Sequence, residues 1–100
     1  MNDINNIVRR TLLFDFYGVL LTENQKKIYE EVVFNDYSIS EVASDEGISR
    51  QSVHDMIRRT DKLLEEYEEK LHLVEKFKKV EELVKQIEDA DLAGKILDSF

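Results

Sequence analysis

Arg50, His54 and Arg58 recur at every fourth position of the chain, and Ser49, Gln51 and Arg59 stand beside them. On a helix this spacing gathers the first three into one stripe, because residues four apart lie one above the other. Side chains of these types suit the recognition of a polyanion. Serine and arginine hold phosphate oxygens, while arginine and glutamine read the edges of bases. The expected nucleic-acid contacts are therefore Ser49, Arg50, Gln51, His54, Arg58 and Arg59, with Arg50 and Gln51 toward bases and Ser49 and Arg58 toward phosphates.

Other chemistry is poorly supplied. His54 and His72 are the two histidines, 18 positions apart and without acidic partners at zinc-ligand spacing, so neither a metal nor another cofactor is expected. Gly18, Gly47 and Gly94 are isolated and form no phosphate-cradling loop. The serines at 38, 40, 44, 49, 52 and 99 have capping or surface explanations. The run LLFDFYGVL looks like the nucleophile motif of haloacid-dehalogenase-type phosphatases, but Asp15 alone matches it. The second carboxylate of that motif would fall at Tyr17, and 100 residues cannot supply the doubly wound sheet that holds such a site. No catalytic activity is expected.

The candidate stripe needs a scaffold, and the residues around it supply one. Ser38 with Glu41 three residues on forms a capping box that opens a short helix. Gly47 ends that helix, since a glycine adopts φ > 0 at little cost, and Ser49 caps the next. Ala43, four before Gly47, is the small residue that two steeply crossing helices need where their backbones approach. Val42, Ile48, Val53 and either Met56 or Ile57 then face inward. This is a helix-turn-helix pattern with the stripe on its recognition helix.

Two helices precede that corner. The first is expected from about Asn5 to Leu20, with an apolar stripe of Ile4, Val8, Leu12, Phe16 and Val19 or Leu20, widened by Leu13, Tyr17 and Leu21. A face so broad needs cover on two sides, which places this helix between the helix-turn-helix and another helix. Thr22 and Gln25 form a second capping box, with Ile28, Val32, Tyr29 and Val33 facing inward behind it.

Neither glycine nor proline occurs from Ser49 to Ala90, so the recognition helix is expected to run on into a long C-terminal helix. Leu64, Tyr67, Leu71 and Val74 form one stripe and Phe77, Val80, Val84 and Ile87 another, out of heptad phase, which predicts overwinding or a bend near Glu75 to Lys79. Asp89 to Asp91 and Gly94 close that helix, and LAGKILDSF is expected to add one last short turn of helix or to fray. An amphipathic helix of this length must bury its face, by folding back on the first helix, by pairing with its counterpart in a dimer or against a different protein, and a homodimer is the favoured expectation. The layout is one all-α domain over residues 1–100: a packing helix (1–21), the helix-turn-helix unit (22–62), and a C-terminal amphipathic helix with its tail (63–100).

Bulk charge bears on the partner. Residues 1–62 carry 8 basic against 11 acidic side chains and residues 63–100 carry 6 against 11, for a net charge of −8. Nucleic-acid affinity comes largely from lysine and arginine displacing counterions, so a chain acidic in both halves must concentrate its cations locally. There are no cysteines, which suits a reducing cytoplasm. The longest apolar run, Leu12 to Leu21, is interrupted by Asp15 and Gly18 and is about half the ~20 residues of a membrane span, and the first residues lack the order of a secretory signal. A cytoplasmic protein that does not insert into membranes is expected.

The run LTENQKKIYEEVVFNDYSISEVASDEGISRQSVHDMIRRTDKLLEEYEEKL resembles the C-terminal DNA-binding region (region 4) of bacterial sigma factors, with its EVA, GIS and SRQSV elements in order. Across about residues 10–75, FDFYGVLLTENQ, NDYSISEVA, GISRQSVHDMIRRT and YEEKLHL resemble more closely the YlxM-like family of small bacterial helix-turn-helix proteins. That resemblance implies a regulatory role in the signal recognition particle pathway, to which the family is linked by gene neighbourhood. The implied partners are the particle's RNA or its GTPase protein. It transfers no catalytic residue. Two competing readings follow from the residues themselves: a DNA-binding transcriptional regulator, and an interaction scaffold whose acidic C-terminal helix binds a basic partner.

Overall fold

Leu13, Tyr17 and Leu21 are the buried edge of the first helix, while Ile7, Val8, Val19 and Leu20 stay exposed. The computed structural model describes residues 3–87 and 89–100, and side chains from Asn6 onward. Ile4, the expected start of the apolar stripe, therefore lies outside the described side chains. Helix α1 covers Asp3–Tyr17 and a 3-10 turn, Gly18–Leu20, closes it. Helices α2 (Glu23–Tyr29), α3 (Ile39–Glu46), α4 (Arg50–Leu71), α5 (Leu73–Val84) and α6 (Ala90–Asp98) follow, and no strand occurs among the described residues. The all-α expectation holds.

α2 opens as its capping box requires. The Gln25 amide donates to Thr22 Oγ1 at 3.1 Å and the Thr22 amide donates to Gln25 Oε1 at 3.0 Å, so two of the orphan donors at the helix start are satisfied. Its last turn widens into a π-helical turn, Glu30–Phe34, in which the Asn35 amide reaches back to the Glu30 carbonyl at 2.9 Å. That turn sends Phe34 to meet Phe14 and Tyr29, whose ring centroids lie 5.2 and 5.8 Å away. Phe34 was not expected in the core.

Two clusters make the interior. Leu13, Tyr17, Leu21, Tyr29, Leu64 and Val74 join α1, α2, α4 and α5, and Ile28, Val42, Ala43 and Val53 hold the α3–α4 corner on α2. α1 is thus enclosed between α4 and α5, as its broad apolar face demanded. Ion pairs fix its direction: Arg9 makes two 2.6 Å bonds to Glu65, and Arg10 bridges to Asp61, which also accepts a 2.5 Å bond from the Tyr29 hydroxyl. Burial and the Asp61 hydrogen bond push the Tyr29 phenol well above its usual pKa, so it stays a donor.

The C-terminal region departs from the expected continuous helix. α4 passes the supposed boundary at residue 62 unbroken and stops at Leu71, and the chain turns at His72, whose φ of 57° lies in the left-handed region. The bend falls earlier than Glu75 to Lys79 because a carboxylate and a phenol capture the donors it releases. Glu68 accepts from the amides of Val74 at 3.0 Å and Glu75 at 3.1 Å, and the Tyr17 hydroxyl accepts from the Leu73 amide at 3.1 Å while donating to Glu68 at 2.5 Å. Beyond α5, Asp89 does not close a helix but caps a new one, accepting from the amides of Asp91 and Leu92, and Gly94 lies inside α6. Phe100 returns to pack on Phe16 and Phe77, with centroids 6.5 and 5.3 Å apart.

Candidate nucleic-acid interface

The corner is built by short-range chemistry. Ser38 Oγ accepts from the Glu41 amide at 3.0 Å and starts α3, but the return bond from the Glu41 side chain is not made, so the expected capping box is half formed. Gly47 (φ 68°) ends it in a Schellman motif, the Ile48 amide donating to the Ala43 carbonyl at 3.0 Å and the Gly47 amide to Ser44 at 3.3 Å. An added Cβ at Gly47 would meet nothing within 4 Å, so backbone conformation and not space requires the glycine. Ala43 is buried where α3 meets α4. Ile48, expected inside, is 37% exposed because the Schellman turn carries it to the lip of the corner. Met56 and Ile57 both pack on the inner cluster with Val53.

On α4 the same helix that buries Val53, Thr60 and Leu64 turns every expected contact residue outward. Ser49, Arg50, Gln51, His54, Arg58 and Arg59 are all exposed. They are not equivalent. Ser49 Oγ accepts from the Ser52 amide at 3.0 Å and pairs with Ser52 Oγ at 2.9 Å, so its oxygen serves first as the helix cap. Arg50 and Arg59 are nine positions apart, about half a turn of helix, and flank the face on opposite sides. Neither has an ion-pair partner within 4.0 Å among the described residues.

Asp55 sits in the middle of this face, half-buried between Gln51 and Arg58. Gln51 Nε2 donates to Asp55 Oδ1 at 3.0 Å and Arg58 Nη2 bonds the same oxygen. The Gln51 hydrogen bond, then the Arg58 bond and charge, hold the Asp55 carboxyl below its usual pKa. Two of the six residues are therefore tied to one carboxylate in the free protein. Lys27 is likewise engaged, 2.9 Å from Glu46 at the end of α3, and braces α2 against the corner. Lys62, exposed one turn beyond Arg58, extends the cationic line. The 54–58–62 spacing already contained it, but the unit was taken to end there.

The rest of the expected chemistry is placed elsewhere. Asp15 is exposed on a helix and not at a strand tip, and Tyr17, where a phosphatase would need its second carboxylate, is fully buried. His72 forms the α4–α5 bend and lies 3.1 Å from Glu75, far along α4 from His54. Tyr29 is fully buried, Tyr67 packs against the core and Tyr37 is 46% exposed. No helix of the described residues is long and apolar enough to cross a membrane.

Comparison with known proteins also returns a helix-turn-helix family. Residues 4–99 match the family UPF0122, described as "Putative helix-turn-helix protein, YlxM / p13 like". The chain belongs to the UPF0122 family. It is 45% identical over 87 residues to a UPF0122 protein of Halalkalibacterium halodurans, covering 87% of this chain and 80% of that one. A UPF0122 protein of Staphylococcus haemolyticus is 41% identical, over 90% of this chain and 97% of its own. One from Symbiobacterium thermophilum is 39% identical, over 91% and 89%. The family description names a helix-turn-helix.

Proposed function

We propose that this UPF0122 chain is a helix-turn-helix regulatory protein that docks a nucleic acid with the outward face of α4, acting in the signal recognition particle pathway. The observation that carries the docking is that all six side chains singled out for recognition stand exposed on the one helix whose reverse side anchors the core. Arg50, Arg59 and Lys62 supply phosphate contacts, Gln51 reaches a base edge once it leaves Asp55, and Arg58 joins when a phosphate competes for it. Bases are read weakly by so few free donors. Backbone contact dominates.

The pathway rests on likeness to the YlxM-like family, and the partner there is the particle's RNA. Binding should follow counterion release: with three phosphate contacts, affinity falls about 40-fold on a duplex or about 20-fold on a single strand between 50 and 200 mM salt, and Arg50→Ala lowers the slope of log K against log salt by about 0.9 for a duplex or ~0.7 for a single strand. Fluorescence anisotropy with the particle RNA, a random RNA and a DNA duplex measures it. Equal affinity of wild type and Arg50→Ala at every salt concentration would remove the interface. Preference for a DNA duplex would redirect the assignment to a transcriptional regulator.

One observation favours a second reading, an interaction scaffold. Asp55 holds Gln51 and Arg58, and acidic side chains dominate residues 63–100. In that case a truncation after Glu68 abolishes partner capture while Arg50→Ala leaves it intact.

A further inference from the structure

From Arg50 to Gln86 the chain carries no helix-breaking residue type, yet the helix is interrupted at one position. His72 alone takes the left-handed conformation there, with φ 57° and ψ 29°, at once ending α4 and preceding α5. An L-residue with a side chain holds that conformation against steric opposition from its Cβ. Its imidazole makes no capping hydrogen bond to offset this.

The donors exposed by the break have two possible homes. In the bent form the Leu73 amide goes to the Tyr17 hydroxyl, and those of Val74 and Glu75 go to the Glu68 carboxylate. In a straight helix the same amides would bond the carbonyls four residues earlier, as helical amides do. Backbone hydrogen bonding therefore does not by itself choose between bent and straight. The bend is kept by what it brings together: Val74 enters the main core cluster, and Phe77 and Phe100 pack on Phe16 of α1.

We infer that His72 is the hinge of a reciprocal exchange, in which α4 and α5 straighten into one helix and the α5–α6 arm of each chain packs on α1 of a second copy. The occupant is specified by the structure itself. The face of α1 that binds the arm is complementary to it in the monomer, and a second copy offers the same face, so exchange recovers the apolar contacts between arm and α1, trades the Tyr17 and Glu68 bonds of the three amides for helical ones, and relieves two strained hinges. A groove of about 360 Å³ lies open between α1 and α5 beside Ile7, Val8, Leu12 and Phe77.

Substitution at the hinge separates this from an ordinary surface dimer. Glycine accepts the left-handed conformation and disfavours a continuous helix, whereas alanine resists the bend as histidine does and favours the straight form. His72→Gly is expected to weaken dimerisation about 25-fold, roughly fivefold for each of two hinges. His72→Ala is expected to dimerise at least as tightly as wild type, both read by sedimentation equilibrium. The natural chain has no cysteine, so Thr11→Cys with Lys78→Cys, two positions lining the same groove, can be bridged by a short bis-maleimide. The bridge should join two chains in the His72→Ala background and stay within one chain in the His72→Gly background. Dimers of equal strength in both backgrounds, a bridge that stays within one chain in the dimer, or a His72→Ala protein that is monomeric at every concentration would each overturn the exchange.

Discussion

Two carboxylates set the behaviour of their surroundings in opposite directions. Asp55 restrains the recognition face by holding Gln51 and Arg58 on a single oxygen. Asp55→Asn removes the charge and releases Arg58, so nucleic-acid binding is expected to tighten and its salt slope on a duplex to steepen by about 0.9, measured by anisotropy at several salt concentrations. Glu68 instead builds. Burial would raise its pKa, but the Tyr17 hydroxyl, the Val74 and Glu75 amides and the Arg9 charge together draw it below the ordinary 4.5. A depressed carboxylate adds stability that is fully present above 4.5 and is lost as pH falls through the folded-state value. Denaturation followed against pH should therefore show a Glu68→Gln protein that loses less stability on acidification than wild type. Tyr17→Phe leaves a buried carboxylate short of one donor and is expected to cost about 1–3 kcal/mol at neutral pH. Asp55 was visible in the sequence as a charge. That it clasps two neighbours depended on rotamers, which spacing does not encode.

Among the elements, legibility followed the range of the interactions that define them. The α3–α4 corner was readable because its signals are local: Ser38, Gly47 and Ser49 act on amides within a few residues, and each took its expected place. Gly47→Ala tests that reading. With open space around the missing Cβ, the cost is conformational, and chemical denaturation is expected to show a loss of about 1–2 kcal/mol. The α4–α5 bend was not readable. Nothing between Glu68 and Glu75 breaks a helix; the cause is Tyr17, 51 residues before its partner Glu68, and a contact so distant leaves no periodic trace. α1 was legible in part: Leu13, Tyr17 and Leu21 were expected only to widen the stripe through Val8 and Leu12, whereas they form its buried centre because they meet Leu64 and Tyr29, with Leu12 and Phe16 packed beside them and Val8 exposed. The six expected contact residues are all exposed, Ser49 at the cap of α4 and the other five along it, but spacing could not reveal which of them already had partners.

At the scale of the molecule, the extents of 52 × 28 × 26 Å and a radius of gyration of 16.4 Å exceed the ~13 Å of a rounder domain of this length. The cause is α4, whose 22 residues span about 33 Å. It holds the recognition corner at one end and the Phe16–Phe77–Phe100 cluster at the other, so docking and arm exchange use separate surfaces. Small-angle scattering of the His72→Gly monomer is expected to stay close to 16.4 Å, and an exchanged dimer to be longer. The docking claim is met most directly by mapping amide chemical shifts during titration with the particle's RNA. The account expects perturbations concentrated at Ser49 to Lys62, weakened together by Arg50→Ala. Perturbations confined to α5 and α6, with the α4 face unmoved, would contradict it.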